Sequence, residues 1–191
     1  EKLSFYQLRT ELEIVLKDFN VILSKTKLEE QYSLVDPRNR ELGFRNYVEK
    51  ENFFEDKQTD KMIWDNKDYE KIRIINCIPE YGKELFSNET YILEANFEKI
   101  DGVNFTKGCF IGQEGTARMK HKVKLRKGLT TVCCEKENMV EQVEYGASIY
   151  SNGKEVGRLL SVIENYGIAY LRFDRILENI TCNGINLKIL N

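Results

Sequence analysis

The fold turns on the stretch Ala147-Ser148-Ile149-Tyr150-Ser151-Asn152-Gly153-Lys154-Glu155-Val156-Gly157-Arg158. Asn152-Gly153 sits between two β-prone runs, and both residue types accept the positive φ angles of a two-residue hairpin turn. Working outward, Leu129 to Cys134, Ala147 to Tyr150, Glu155 to Ile163 and Ile168 to Phe173 are further short runs of this kind. Gly184 and the run Ile185 to Leu190 add a last strand. Short strands at this spacing predict a small antiparallel barrel or sandwich. The pattern changes near residue 125, which divides the chain into 1–124 and 125–191.

The first region mixes element types, so the expected class is α+β. Leu12, Ile14 and Leu16, then Val21 and Leu23, alternate as two strands over residues 11–25, with Lys17-Asp18-Phe19-Asn20 as the turn between them. Asp36-Pro37-Arg38-Asn39-Arg40 is a turn, because Pro presets φ and Asp favours the preceding position. Phe44 to Val48 follows as a strand. Residues 59–76 predict a helix capped by Thr59 or Asp60, with Tyr69, Ile72 and Ile75 at three-residue spacing. Cys77-Ile78-Pro79 ends it, since the residue before Pro is pushed out of helical geometry. Residues 87–110 carry few periodic cues and read as loop. Gly112 to His121 reads as a short helix.

Composition narrows the function classes. Of 191 residues, 41% are apolar and 31% charged, with a net charge of −2. Disorder and bulk polyanion binding are therefore excluded as leading readings. No apolar run approaches the ~18 residues of a membrane helix. The start at Glu1 lacks both a Met and a signal-type apolar segment, so the expectation is a cytoplasmic piece missing its beginning. Five cysteines and one histidine, with no CxxC pair, argue against a metal or cluster held by this chain alone. An odd cysteine count favours reduced thiols.

The most informative run is Phe105-Thr106-Lys107-Gly108-Cys109-Phe110-Ile111-Gly112-Gln113-Glu114. Gly108 and Gly112 permit close backbone approach. Lys107 and a helix start near Gly112 would both favour a Cys109 thiolate. Spacing alone favours the plainer reading, a glycine-flanked turn around a buried cysteine. Arg118, Lys120, Lys122, Lys124, Arg126 and Lys127 then form a basic run with partial period two, as on one face of an extended segment. Phosphate, an anionic tail or RNA would be attracted there, although no aromatic is interleaved for base stacking.

Lys107-Gly108-Cys109-Phe110-Ile111-Gly112-Gln113-Glu114 with Ala117-Arg118 resembles the signature of the YgfZ family. These are folate-binding proteins related to the glycine-cleavage T-protein, an aminomethyltransferase, and their mitochondrial members are iron–sulfur assembly factors. Tyr6-Gln7-Leu8-Arg9, Asp36-Pro37-Arg38 with Leu42-Gly43 and Arg45, and Arg73-Ile74 with Ile78-Pro79-Glu80 resemble family stretches in the right order. So do Leu93-Glu94-Ala95-Asn96 with Gly102-Val103-Asn104-Phe105, Val156-Gly157-Arg158 and Ala169-Tyr170-Leu171-Arg172. The resemblance implies a ferredoxin-like part of a folate-binding T-protein-like domain over 1–124, lacking an N-terminal segment. A small antiparallel C-terminal β-barrel over 125–191 would follow.

The resemblance also implies roles. Cys109, with Lys107, would be the reactive group facing a folate channel. Glu94, Phe105, Gly108, Gly112, Gln113, Glu114 and Arg118 would bind tetrahydrofolate, with both oxygens of Glu94 available to a pterin edge. The leading expectation is a tetrahydrofolate-binding accessory factor for maturation or repair of iron–sulfur proteins, including iron–sulfur-dependent tRNA modification. Its partners would be folate and iron–sulfur client or assembly proteins. One alternative is a T-protein-type aminomethyltransferase, weakened by Ile75 where that enzyme has a folate-binding glutamate. Another is a fragment that binds a protein or RNA through the basic run.

Overall fold

The computed structural model describes residues 13, 15–28, 32–49, 63–109, 111–122, 125–135 and 139–190. Strands β1 (Phe19–Ser24), β2 (Ser33–Val35) and β3 (Phe44–Glu49) make an antiparallel sheet in the order β1-β3-β2. The turn expected over 17–20 is overrun, because Phe19 and Asn20 already pair with Glu49 and Val48. Phe19 packs edge-on against Tyr32 and Tyr47, with ring centroids 5.8 and 6.4 Å away, which extends the strand. Leu12 and Ile14 of the other expected strand lie outside the described residues, and 15–18 are not strand. β2 has too few residues to show a period and was not anticipated.

The Asp36-Pro37-Arg38 turn forms as expected, with the Arg38 N–H donating to Asp36 Oδ1 at 3.0 Å. Helix α1 (Asn66–Ile75) starts later than its pattern suggested. Its cap is Asp65, which accepts the Lys67 N–H, while Thr59 and Asp60 lie outside the described residues. Residues 63–65 run beside β1 instead, with Trp64 N–H bonded to Leu23 O at 3.0 Å. The buried side of α1 carries Arg73 and Ile74, and Ile75 is exposed. The helix stops before Cys77, whose φ is 52°.

Six strands follow: β4 (Lys127–Cys133), β5 (Ser148–Ser151), β6 (Lys154–Ile163), β7 (Tyr166–Arg172), β8 (Ile180–Cys182) and β9 (Ile185–Leu190). They close an antiparallel barrel in the order β4-β7-β6-β5-β8-β9, with Thr131 opposite Leu190 across the seam. Closure leaves no free sheet edge. Asn152 and Gly153 have φ of 49° and 74°, the geometry that their hairpin signal predicts. Alternate residues point inward, as in β9, where Ile185 and Leu187 are buried while Asn186 and Lys188 are exposed. Met139, at the start of a one-turn helix over Met139–Gln142, fills the barrel interior with Ile149, Val156 and Leu159.

Helix α1 lies against β6 and β7. Ile74, Cys77 and Ala95 share a core with Leu129, Ile163 and Ile168. Thr131 Oγ1 donates to Ile74 O at 2.8 Å. Beside that core the fully buried Arg73 bonds Glu84 and Glu70, each at 2.9 Å.

Candidate functional site

Residues 91–103 form a chain of turns held to the barrel. The Leu129 N–H donates to Glu94 O at 2.7 Å, and Asn96 Nδ2 donates to Leu129 O at 3.2 Å. Gly128 is required at this crossing, since a Cβ there would meet Glu94 O at 2.9 Å. These contacts fix Glu94, which is buried, beside two side chains of the barrel. Tyr170 Oη donates to Glu94 Oε2, and Lys127 Nζ stands 3.6 Å from the same oxygen. Lys127 also lies over the rings of Tyr91 and Tyr170, 5.7 and 5.6 Å from their centroids. Burial raises the Tyr170 pKa, and the Glu94 carboxylate raises it further, so the phenol keeps its proton. The hydrogen bond with Tyr170 raises that of Lys127, which stays charged.

Glu94, Tyr91 and Tyr170 line a cleft of about 240 Å³ together with Phe86 and Leu160, and Glu84 and Arg158 are also on its lining. The expectation that both Glu94 oxygens are available is corrected here. Oε2 is taken by Tyr170 and Lys127, while Oε1 has no partner among the described residues. Oε1 can still accept one N–H from a planar ligand stacked on the tyrosines.

A second cleft, about 200 Å³, gathers Phe105, Lys107, Gly108, Cys109, Gln113 and His121. An Asx turn shapes its entry, with Asn104 Oδ1 accepting from Thr106 N at 2.8 Å and Thr106 Oγ1 at 2.6 Å. Phe105 meets His121 edge-on at 6.3 Å. Helix α2 (Glu114–Lys122) begins two residues after Gly112, whose φ is 92°. Cys109 is exposed, so the buried-cysteine reading of this turn does not hold.

The sequence thus grouped residues that the fold separates. Glu94 lines the first cleft and Cys109, Lys107, Phe105, Gly108 and Gln113 the second. Gly112, Glu114 and Arg118 are exposed and line neither. The basic run is not one extended face. Arg118 and Lys120 are on α2, Lys127 opens β4, and Lys124 lies outside the described residues. Two of its charges are matched, Lys120 by Glu98 and Lys127 by Glu94. Among the described residues no three His, Cys, Asp or Glu side chains converge as a metal site. Sequence reasoning missed Tyr91, Arg158 and Tyr170 as cleft-lining groups, and it had Lys127, the partner of Glu94, only as part of the basic run. Tyr170 was visible only as part of a barrel strand.

Comparison with known proteins agrees with the barrel. Residues 126–190 match the CAF17 C-terminal beta-barrel domain. The chain is 36% identical over 116 residues to the mouse "Iron-sulfur cluster assembly factor IBA57, mitochondrial", covering 60% of this chain and 32% of that protein. It is 32% identical over 142 residues to the human protein of that name, covering 74% and 39% respectively. A homologue from Phaeosphaeria nodorum is 31% identical over 145 residues. The 142-residue match is longer than the barrel and so reaches into residues before 126. The chain spans 32–39% of these relatives' length. The cytoplasmic expectation is overturned, because these relatives are all named mitochondrial.

Proposed function

We propose that this chain is part of a mitochondrial accessory factor for iron–sulfur cluster assembly or repair. The likeness to the IBA57 proteins, extending beyond the barrel, carries this reading. On it, the chain is a YgfZ-type, T-protein-like protein with two parts. Residues 1–124 belong to a ferredoxin-like folate-binding domain and 125–191 form the barrel domain. Iron–sulfur client or assembly proteins are its partners, and iron–sulfur-dependent tRNA modification is one downstream process.

Tetrahydrofolate is the proposed ligand, and the Glu94 cleft supports that choice. It offers a carboxylate oxygen with no partner among the described residues, aromatic walls and Arg158 for an anionic tail. Its volume of about 240 Å³ is below the roughly 300–1,000 Å³ of pockets that enclose drug-sized ligands, which suits a bicyclic head with the rest outside. Cys109, exposed in the other cleft, is the proposed contact with cluster or thiol partners. Aminomethyl transfer is not favoured, since Ile75 supplies no carboxylate and does not line the Glu94 cleft.

Calorimetry with tetrahydrofolate tests the ligand. Binding that Glu94→Gln weakens about tenfold or more supports it, in line with loss of a charge-assisted hydrogen bond. Absence of binding, or binding untouched by Glu94→Gln, refutes it. Loss of iron–sulfur enzyme activity in cells lacking the gene product, restored by wild type and not by Cys109→Ala, tests the assembly role.

A further inference from the structure

The sheet β1-β3-β2 carries an arrangement that neither cleft uses. Asp36 has a side chain with no exposed surface. Arg38 grips it through Nε at 3.0 Å and Nη2 at 2.8 Å, and Arg45 Nε reaches its Oδ2 at 2.8 Å. With the Arg38 N–H, four donors saturate the carboxylate. Arg38 Nη2 also bonds Tyr69 Oη at 2.9 Å. The forked end of Arg45 has no acceptor among the described residues, and its side chain is 32% exposed. Burial would push the Asp36 pKa up, but the bonds from Arg38 and Arg45 outweigh this and hold it at about 2. The carboxylate is therefore ionised at neutral pH. Two guanidinium groups against one carboxylate leave a net positive charge.

The setting of that charge is apolar. Arg45 stands opposite Leu34 in the register, and Tyr47 is on the same face opposite Val21. Leu34 is 61% exposed, Val21 51% and Val35 47%. Leu34, Val35, Pro37 and Tyr47 border an open cleft of about 570 Å³ with Asp36, Arg38 and Arg45 at its floor. A fixed guanidinium loses little side-chain freedom on accepting a carboxylate, because Asp36 already orients it. The apolar rim rewards a ligand that brings aliphatic groups beside its carboxylate.

We infer that this face docks a segment of a partner protein in which acidic side chains alternate with aliphatic ones, a carboxylate seating on the Arg45 fork and an aliphatic group of the same segment on Leu34 and Tyr47, which share that face. The inference rests on this charge and apolar pattern and is independent of folate binding. A free anion would meet the charge but leave the rim uncovered.

The test uses the full chain and fluorescence anisotropy with a labelled short peptide of alternating leucine and glutamate. A leucine–glutamine counterpart and free glutarate as competitor complete the set. Saturable binding that weakens with salt is expected, as is a loss of about tenfold or more with the glutamine peptide or with Arg45→Gln. Leu34→Ser, on an exposed position that leaves the fold intact, should weaken the acidic peptide several-fold and leave glutarate unaffected. Should Arg45→Gln fail to fold, the salt dependence, the glutamine peptide and Leu34→Ser still decide. No saturable binding, equal binding of both peptides, or affinity indifferent to Leu34→Ser would overturn the proposal. Competition by glutarate at the peptide's own affinity would also overturn it, as the mark of a small-anion site.

Discussion

Replacing Arg73 by Met should destabilise the chain by about 3–5 kcal/mol, the usual result of removing one partner from a buried ion pair. Arg73 and Glu84 both have side chains with no exposed surface, and their contact is 2.9 Å. Arg73 also bonds Glu70, Ile78 O and Ser161 Oγ, at 2.9, 2.9 and 3.3 Å. It thereby joins α1 to the 78–84 loop and to β6. In Arg73→Met, Glu70 and Glu80 keep Lys83, each at 3.0 Å, and reach solvent. Glu84 does not. Among the described residues it is left with only the Glu80 N–H at 2.8 Å and the Ser161 hydroxyl. The damage should therefore come from Glu84 rather than from lost attraction in general. Adding Glu84→Gln removes the stranded charge, keeps an acceptor for the Glu80 N–H, and turns the other end into a donor to Ser161. The double variant should recover about 1–3 kcal/mol relative to Arg73→Met, a coupling typical of contacting residues. Urea denaturation followed by circular dichroism measures both numbers, with equal m-values as the check on a common unfolded state. A loss under about 1 kcal/mol for Arg73→Met, or a double variant no more stable than the single, would refute the reasoning.

The Asp36 carboxylate predicts an acid-sensitive contribution to stability. Its value of about 2 in the folded chain is below the ordinary 3.8, so this contribution is complete above about pH 4 and is lost as pH falls towards 2, by about 2 kcal/mol in all. The stability advantage of wild type over Asp36→Asn, from urea titrations across that range, should shrink by that amount, and a constant gap would count against it. Cys109 should be the first thiol alkylated at neutral pH. It is exposed, Cys77, Cys134 and Cys182 are buried, and burial pushes Cys77 up to about 11. Mass-spectrometric mapping that found half-buried Cys133 labelled ahead of Cys109 would contradict this.

Which features could be read in advance follows from how far apart in the chain their causes lie. Asn152-Gly153 fixes its turn through the φ preferences of two adjacent residues, so the hairpin and the barrel around it were legible. The Asp36-Pro37-Arg38 turn is local in the same way. Asn183-Gly184 adopts φ of 48° and 83° and makes the same kind of turn between β8 and β9. That dipeptide was a usable signal for β8, which was missed because Ile180–Cys182 is too short to show alternation. The helix over 59–76 was found by its spacing but misplaced at its start. Its apolar period did not predict that Arg73 would be its most buried position, because that depends on Glu84 and Ser161 arriving from elsewhere.

The functional clefts show the same limit more sharply. The 105–114 run was legible as a unit, because glycines, lysine and cysteine lie within one local segment. Five of its residues do line one cleft. Glu94 was attached to that unit by its place in the sequence, yet its hydrogen-bond partner Tyr170 is 76 positions away. No periodicity links the two. They meet because Gly128 allows the 91–103 turns to cross β4 closely, and because β7 pairs with β4 so that Leu129 stands opposite Tyr170. Barrel closure thus supplies the phenol and the ammonium group that occupy one oxygen of Glu94 and leave the other without a partner among the described residues. The chemistry of Glu94 is in this sense a property of the barrel register. A substitution that shifts β4 against β7 should change it even if every residue of the 105–114 run is left in place.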